Sequence, residues 1–318
     1  MTFQWIKATL AAAVIAATGV TAQAEGWAPD GPVTMKIGFR AGGGADSMGR
    51  LLAQELSETL GWEIIPQNVA GRGGLAIAMD VAQEPADGLT VGISTFDTFA
   101  YALQTAGRIG ITAEDFTFLS SLTGSQMGLI ARTDRGWSTL GDVIAAAKAG
   151  ENISIGVMNQ KLADGTYLIG RENGVEFTTV MIDGGRAGLN GVTAKDLDIS
   201  WAAGLQAAGV RSGDIINLAS AEDQPLTMSP DAPLLSEFNM PFSFGSGFLV
   251  FGPADMPDEI AETYATEIGK LLNDPESQLS KMVTKTFAGP MVVQRDDLRA
   301  MIQKRSDEAS ALIDASSE

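Results

Sequence analysis

The chain of 318 residues contains no cysteine and no histidine. Without histidine there is no Ser-His-Asp or Cys-His relay. Without either residue there is no conventional zinc centre, and without cysteine no disulfide and no lipid-bearing thiol near the N-terminus. Basic residues are also scarce: 21 Lys and Arg stand against 39 Asp and Glu, a formal charge of −18. The chain is one unit more negative without the first segment, which carries Lys7. That balance argues against nucleic acid, whose recognition needs cations to neutralise phosphates. No Walker A pattern and no S-x-x-K occur, residues 42–47 fail G-x-G-x-x-G because Ser47 takes the last place, and no EF-hand loop is present. With the common catalytic routes closed, binding is the expected function, with no cofactor and no metal.

What is present begins with an export signal. Lys7 precedes an apolar stretch over 8–20 too short to span a bilayer, and Ala22-Gln23-Ala24 is an A-x-A site. Cleavage after Ala24 is expected, and with it a periplasmic protein without membrane insertion. A disulfide-free exported chain of this size, 45% hydrophobic, can rely on a large core.

The mature chain is organised around residues 37–47. Val33, Met35, Ile37 and Phe39 alternate with polar or small residues, the period of a strand. Met48, Leu52, Leu56 and Leu60 then recur as one helical face, closed by Gly61. Gly42, Gly43 and Gly44 lie between, followed by Asp46 and Ser47, both good N-cap residues. A glycine run at a helix N-terminus lets backbone N–H groups converge on an anion at the positive end of the helix dipole. The competing reading is a tight βα turn that binds nothing.

Further strands are expected at 62–65, 89–93, 116–119, 127–131, 153–157, 177–182, 197–201, 214–219 and 248–251. Helices are expected from Gly74 to about Gln83, from a Ser138 cap to Lys148, over 164–172, and in the tail near 257–273, 275–286 and 296–314. Residues 224–241 read as a long connection. Polar or glycine-rich residues follow each strand, placing a site at the strand C-termini. Two successive α/β series with a long return describe two lobes: 25–122 plus 246–318, and 123–245.

The order and spacing of several short motifs resemble a known family. Phe39-Arg40-Ala41-Gly42-Gly43-Gly44-Ala45-Asp46 is similar to F-P-A-G-G-G-T-D, and Asn68 to Gly74 to N-x-P-G-A-G-G. Pro85 to Thr90 resembles A-x-P-D-G-Y-T, Val180 to Asp198 follows V-P-Y-K-G-x-x-P-A-L…D, and Phe251 to Pro257 resembles L-x-A-P-A-G-T-P. The family is the periplasmic substrate-binding subunits of tripartite tricarboxylate transporters, often called the Bug family. The resemblance implies an α/β, two-lobed Venus-flytrap fold of the type II periplasmic-binding-protein kind, each lobe a mainly parallel sheet flanked by helices. It implies a small organic acid, a di- or tricarboxylate, held between the lobes and delivered to one large and one small integral membrane subunit. A monomer is expected.

By that resemblance the ligand-binding residues are Phe39, Arg40, Gly43, Gly44, Ala45 and Asp46 in the first loop. Ser94, Thr95 and Asp97 follow at a second strand end. Asn159 and Thr166 lie in the second-lobe loop, expected within 158–166. Arg186, at a helix start where a cation is unusual, and Trp201, at a strand end, complete the set, with Arg72 a weaker candidate. Arg40 replaces the family's proline, Ala45 its threonine, and Asp183 a frequent lysine. Two other readings share the same cleft: a sensory module feeding a signalling receptor, and an enzyme using cleft carboxylates.

Overall fold

The computed structural model describes residues 26–107 and 109–317. The expected export signal, residues 1–24, lies outside them. Ten strands form two five-stranded sheets. The first, in spatial order β2-β1-β3-β10-β4, comprises β1 (Val33–Ile37), β2 (Ile64–Asn68), β3 (Thr90–Thr95), β4 (Phe116–Gly124) and β10 (Gly247–Pro253). The second, β7-β6-β8-β5-β9, comprises β5 (Gly128–Arg132), β6 (Ser154–Val157), β7 (Thr178–Met181), β8 (Ile199–Ala202) and β9 (Ile215–Ser220). In each sheet one strand, β10 or β5, runs against its neighbours. Each sheet is therefore mixed, with two parallel and two antiparallel pairings where a mainly parallel sheet was expected, and the fold is the two-lobed type II arrangement expected from the motifs.

Each sheet is covered on both faces. Val33, Met35 and Ile37 point into one core with Met48, Leu52 and Leu56 of the first helix, Gly44–Leu60. The opposite face packs Leu75, Ile77 and a group of phenylalanines, in which Phe99 meets Phe118 and Phe251 edge-on at 5.0 and 4.8 Å. The second sheet repeats the plan with two cores of its own. Lys36 is buried on β1, and Asp80 and Glu84 hold its ammonium at 2.7 and 2.6 Å.

The chain crosses between sheets at residues 125–127 and returns over 221–246. Register shifts in the β10–β4 and β5–β9 pairs lie beside these crossings, where a bulge bends a strand most readily. The C-terminal helices divide. Asp258–Asn273 and Gln278–Thr286 pack against the first lobe. The last, Arg295–Ser317, spans both: Leu298 and Ile302 enter the first lobe's core, and Ala309 and Leu312 the second's.

Several element ends differ from the sequence expectation for local reasons. The edge strand β2 runs two to three residues later, through Pro66, which an edge tolerates because its missing N–H faces outward. The helix expected at 164–172 is Gln160–Asn173, because Asn159 is its cap: its Oδ1 accepts the Leu162 N–H at 3.1 Å. Thr139, not Ser138, starts Leu140–Lys148, with the Asp142 carboxylate accepting both N–H groups. The first helix begins at Gly44 with Gly43 as N-cap. Asp46 and Ser47, expected as caps, sit inside its first turn.

Candidate functional site

Four helices begin where strands of the two sheets end. β1 leads to Gly44–Leu60 and β3 to the helical turn after Thr95; across the gap β6 leads to Gln160–Asn173 and β7 to Gly185–Ala194. These N-termini converge on a cavity of about 100 Å³ between the lobes. A neighbouring cavity of about 350 Å³ shares its wall at Phe39, Arg40, Met158, Asn159 and Asp183.

The first loop is held by a web of side chains beneath it. Asp46 accepts the Gly42 N–H, the Asn68 amide and the Arg50 Nε, each at 2.9 Å. The Asn68 amide also donates to the Phe39 carbonyl at 2.9 Å. Burial would push the Asp46 carboxyl up, but these donors together hold it below the ordinary carboxylate range. The N–H groups of Gly43, Gly44, Ala45 and Asp46 find no acceptor among the described residues. Gly43, Gly44 and Ala45 line the cavity, and bare N–H groups at the positive end of a helix suit an anion. Side chains are excluded here: a Cβ on Gly44 would lie 2.7 Å from the Phe287 ring.

The second lobe answers with two loops. Asn159 uses Oδ1 for its cap, and the residue lines the cavity. Gly184 adopts φ 87° to open the turn before Gly185–Ala194. Arg186 reaches back so that its Nε lies 3.4 Å from the Gly42 carbonyl. Among the described residues two ion pairs join the lobes. Arg40 meets Asp183 at 2.9 Å at the exposed mouth. Lys161 meets Asp97 at 2.9 Å, both side chains about nine-tenths buried. Beside the buried pair, the Tyr101 hydroxyl donates to Asp164.

The structure brings most of the expected residues together. Phe39, Arg40, Gly43, Gly44 and Ala45 line the cavity from the first loop, with Thr95 and Asp97 beside them. Asn159 and Arg186 line it from the other lobe. Three expected contacts lie elsewhere, and at Asp46 the side chain does. The Asp46 side chain is occupied beneath its loop. Ser94 is fully buried, its hydroxyl 2.7 Å from that of Thr98. Thr166 and Trp201 belong to the second lobe's interior: the indole N–H donates to the Thr166 hydroxyl at 2.9 Å, and the indole packs on Phe244 at 4.9 Å. A strand end and a helix interior look alike in sequence whether they face a cleft or a core. Arg72 borders the neighbouring cavity.

Sequence reasoning missed Ser125 and Ser246 on the two crossings, and Phe248 and Phe287. Ser246 donates its N–H to the Ser125 hydroxyl at 2.8 Å, and that hydroxyl donates to Glu222 at 2.7 Å. Glu222 also accepts the Met127 N–H at 2.7 Å. Burial pushes the Glu222 carboxyl up, more than these donors and the charges of Arg305 and Lys161 draw it down.

A two-lobed fold with helix N-termini facing each other across a cleft is an architecture that periplasmic binding proteins use. Residues 48–317 match the tripartite tricarboxylate transporter family receptor, and the chain belongs to that family. The family and fold are those of binding proteins, and the family implies export to the periplasm. BugT of Bordetella pertussis is 27% identical over 288 residues, 86% of each chain. MatC of Rhodopseudomonas palustris with bound malate superposes with a TM-score of 0.76 at 22% identity, covering 90% of this chain and 98% of that one. Rpa4515 of R. palustris with adipate gives 0.78 at 22% identity, covering 90% and 97%.

Proposed function

We propose that this periplasmic solute-binding protein takes a small organic acid, a di- or tricarboxylate, with one carboxylate on the N–H groups of Gly43, Gly44, Ala45 and Asp46. Those unanswered donors carry the reading. Charge-assisted bonds are roughly twice as strong as neutral ones, so a carboxylate gains most from them. The facing N-termini at Gln160 and Gly185 complete the enclosure, and Arg186 supplies a cation at the mouth. Malate and adipate in the two structural neighbours are diacids, which supports the same ligand chemistry here.

The lobes are residues 25–122 with 246–318 and residues 123–245, the last helix bridging them, after removal of the signal at Ala24. Ligand contacts on both lobes shift the equilibrium toward closure. The closed form is what the large and small integral membrane subunits receive.

The test is thermal unfolding with a panel of mono-, di- and tricarboxylates. A ligand at a hundred times its Kd stabilises by about 2.7 kcal/mol, enough to move the melting curve. Gly44→Val, which drives a side chain into the Phe287 ring, abolishes the shift. A panel that leaves the wild-type curve in place removes the carboxylate reading.

A further inference from the structure

The ring of Phe287 touches a glycine of each lobe. Phe287 lies on the cavity wall, is 4% exposed, and meets Phe248 edge-on at 5.3 Å. Its tip points at Gly44, the first residue of the helix that bears the bare N–H groups: a Cβ there would lie 2.7 Å from Cζ. One edge of the same ring points at Gly204, which follows β8 in the second sheet. A Cβ on Gly204 would lie 2.6 Å from Cδ1 and 2.5 Å from the Thr286 carbonyl. Gly204 also adopts φ 147°, a backbone conformation that side chains disfavour. Neither approach survives a side chain, so the two glycines together form the seat of the ring.

Both halves of that seat are tied to the first crossing, on either side of Ser125. On the first lobe's side, Phe287 ends the helix Gln278–Thr286, and Ala288 donates its N–H to the Gly124 carbonyl at 3.3 Å. On the second lobe's side, Gln126 donates its N–H to the Ala203 carbonyl at 3.0 Å. The Gln206 side chain donates to the Gln126 carbonyl at 2.9 Å and accepts the Gly204 N–H at 2.7 Å.

We propose that Phe287 is a positioning residue that links the seating of the second lobe to the aim of the glycine loop. Rotation of one lobe against the other at residue 125 alters how Gly204 bears on the ring. The ring is rigid and closely packed, so it passes the displacement to Gly44 instead of absorbing it. The N–H groups of residues 43–46 then point correctly only when Gly204 is docked. This rests on the reading of those groups as the acid-binding loop and adds how binding and closure are coupled there.

Calorimetric titration with malate, succinate, adipate and citrate tests this in wild type, Gly44→Ala, Gly204→Ala and the double variant, each with Phe287 and with Phe287→Leu. With the ring present, the double variant binds the tightest of these acids roughly tenfold more weakly than the product of the two separate losses, because a ring crowded from both sides cannot yield. With leucine at 287 the two losses simply multiply. The strain that Gly204→Ala puts on its own backbone enters both arms of the comparison and cancels. Phe287→Leu also restores most of the affinity lost in Gly44→Ala, and where Gly204→Ala does not fold this rescue decides alone. Losses that multiply in both backgrounds, Gly44→Ala binding as wild type does, or no rescue by leucine overturns the role of Phe287 and leaves the organic-acid reading intact. Failure of wild type to bind all four acids overturns both.

Discussion

The two ion pairs that join the lobes have the same chemistry and opposite settings. Arg40–Asp183 spans the mouth of the cleft with side chains 69% and 63% exposed; Lys161–Asp97 spans its back with 10% and 8%. Water screens the first, and the lost side-chain entropy offsets most of its attraction. The second is shielded, and separating its partners would leave a charge stranded in the interior. The lobes are thus weakly fastened where a ligand must enter and firmly fastened where the chain crosses.

Lys161→Met sharpens this contrast most. It strands Asp97 and is expected to lower stability by about 3–5 kcal/mol in denaturant unfolding, while Lys161→Met with Asp97→Leu recovers much of the loss. Next comes Asp46→Ala, which releases the Gly42 N–H, Asn68 and Arg50 together. Removing one partner of charged hydrogen bonds costs about 1.5–3 kcal/mol, and acid titrations by calorimetry should weaken more than tenfold as the loop loses its shape. Because the Asp46 carboxyl is held low in the fold, its contribution is present above the ordinary carboxylate range and fades as pH falls through its depressed value. Asp46→Asn removes that part of the acid-side loss.

Glu222→Gln is expected to have a smaller effect of opposite sign. A carboxyl raised by burial favours the fold most when protonated, so its contribution is lost as pH rises from below the ordinary glutamate value through the raised one. The amide keeps an oxygen for the Ser125 and Met127 donors, so the variant equals or exceeds wild type in melting temperature at neutral pH, with a flatter profile on the acid side. Arg40→Ala has the smallest effect: under about 1 kcal/mol, vanishing with added salt. A loss as large as that of Lys161→Met would erase the distinction between mouth and back.

Much of this molecule is readable in its sequence. Period-two alternation located the strands, and the three glycines marked the loop whose bare N–H groups line the cleft. The motif order alone marks the family. What escaped reading depends on contacts distant in the chain. Ser246 meets Ser125 across 121 residues, and no local pattern distinguishes that serine from any other. Trp201 and Thr166 stand at positions that could face the cleft, but Phe244 returns from the second crossing to cover the indole. Asp46 is a good capping residue that instead braces the loop from below, because Asn68 arrives from the neighbouring strand to meet it.

The helix Arg295–Ser317 has one end seated in each lobe's interior. At 1.5 Å per residue it is a rod roughly 35 Å long, tied near its middle by the Gln104 amide to Ser306 and near its end by Arg171 to the Ala315 carbonyl. A rod anchored at both ends acts as a limiter: the jaws can swing only as far as it can flex or its tail can slip free.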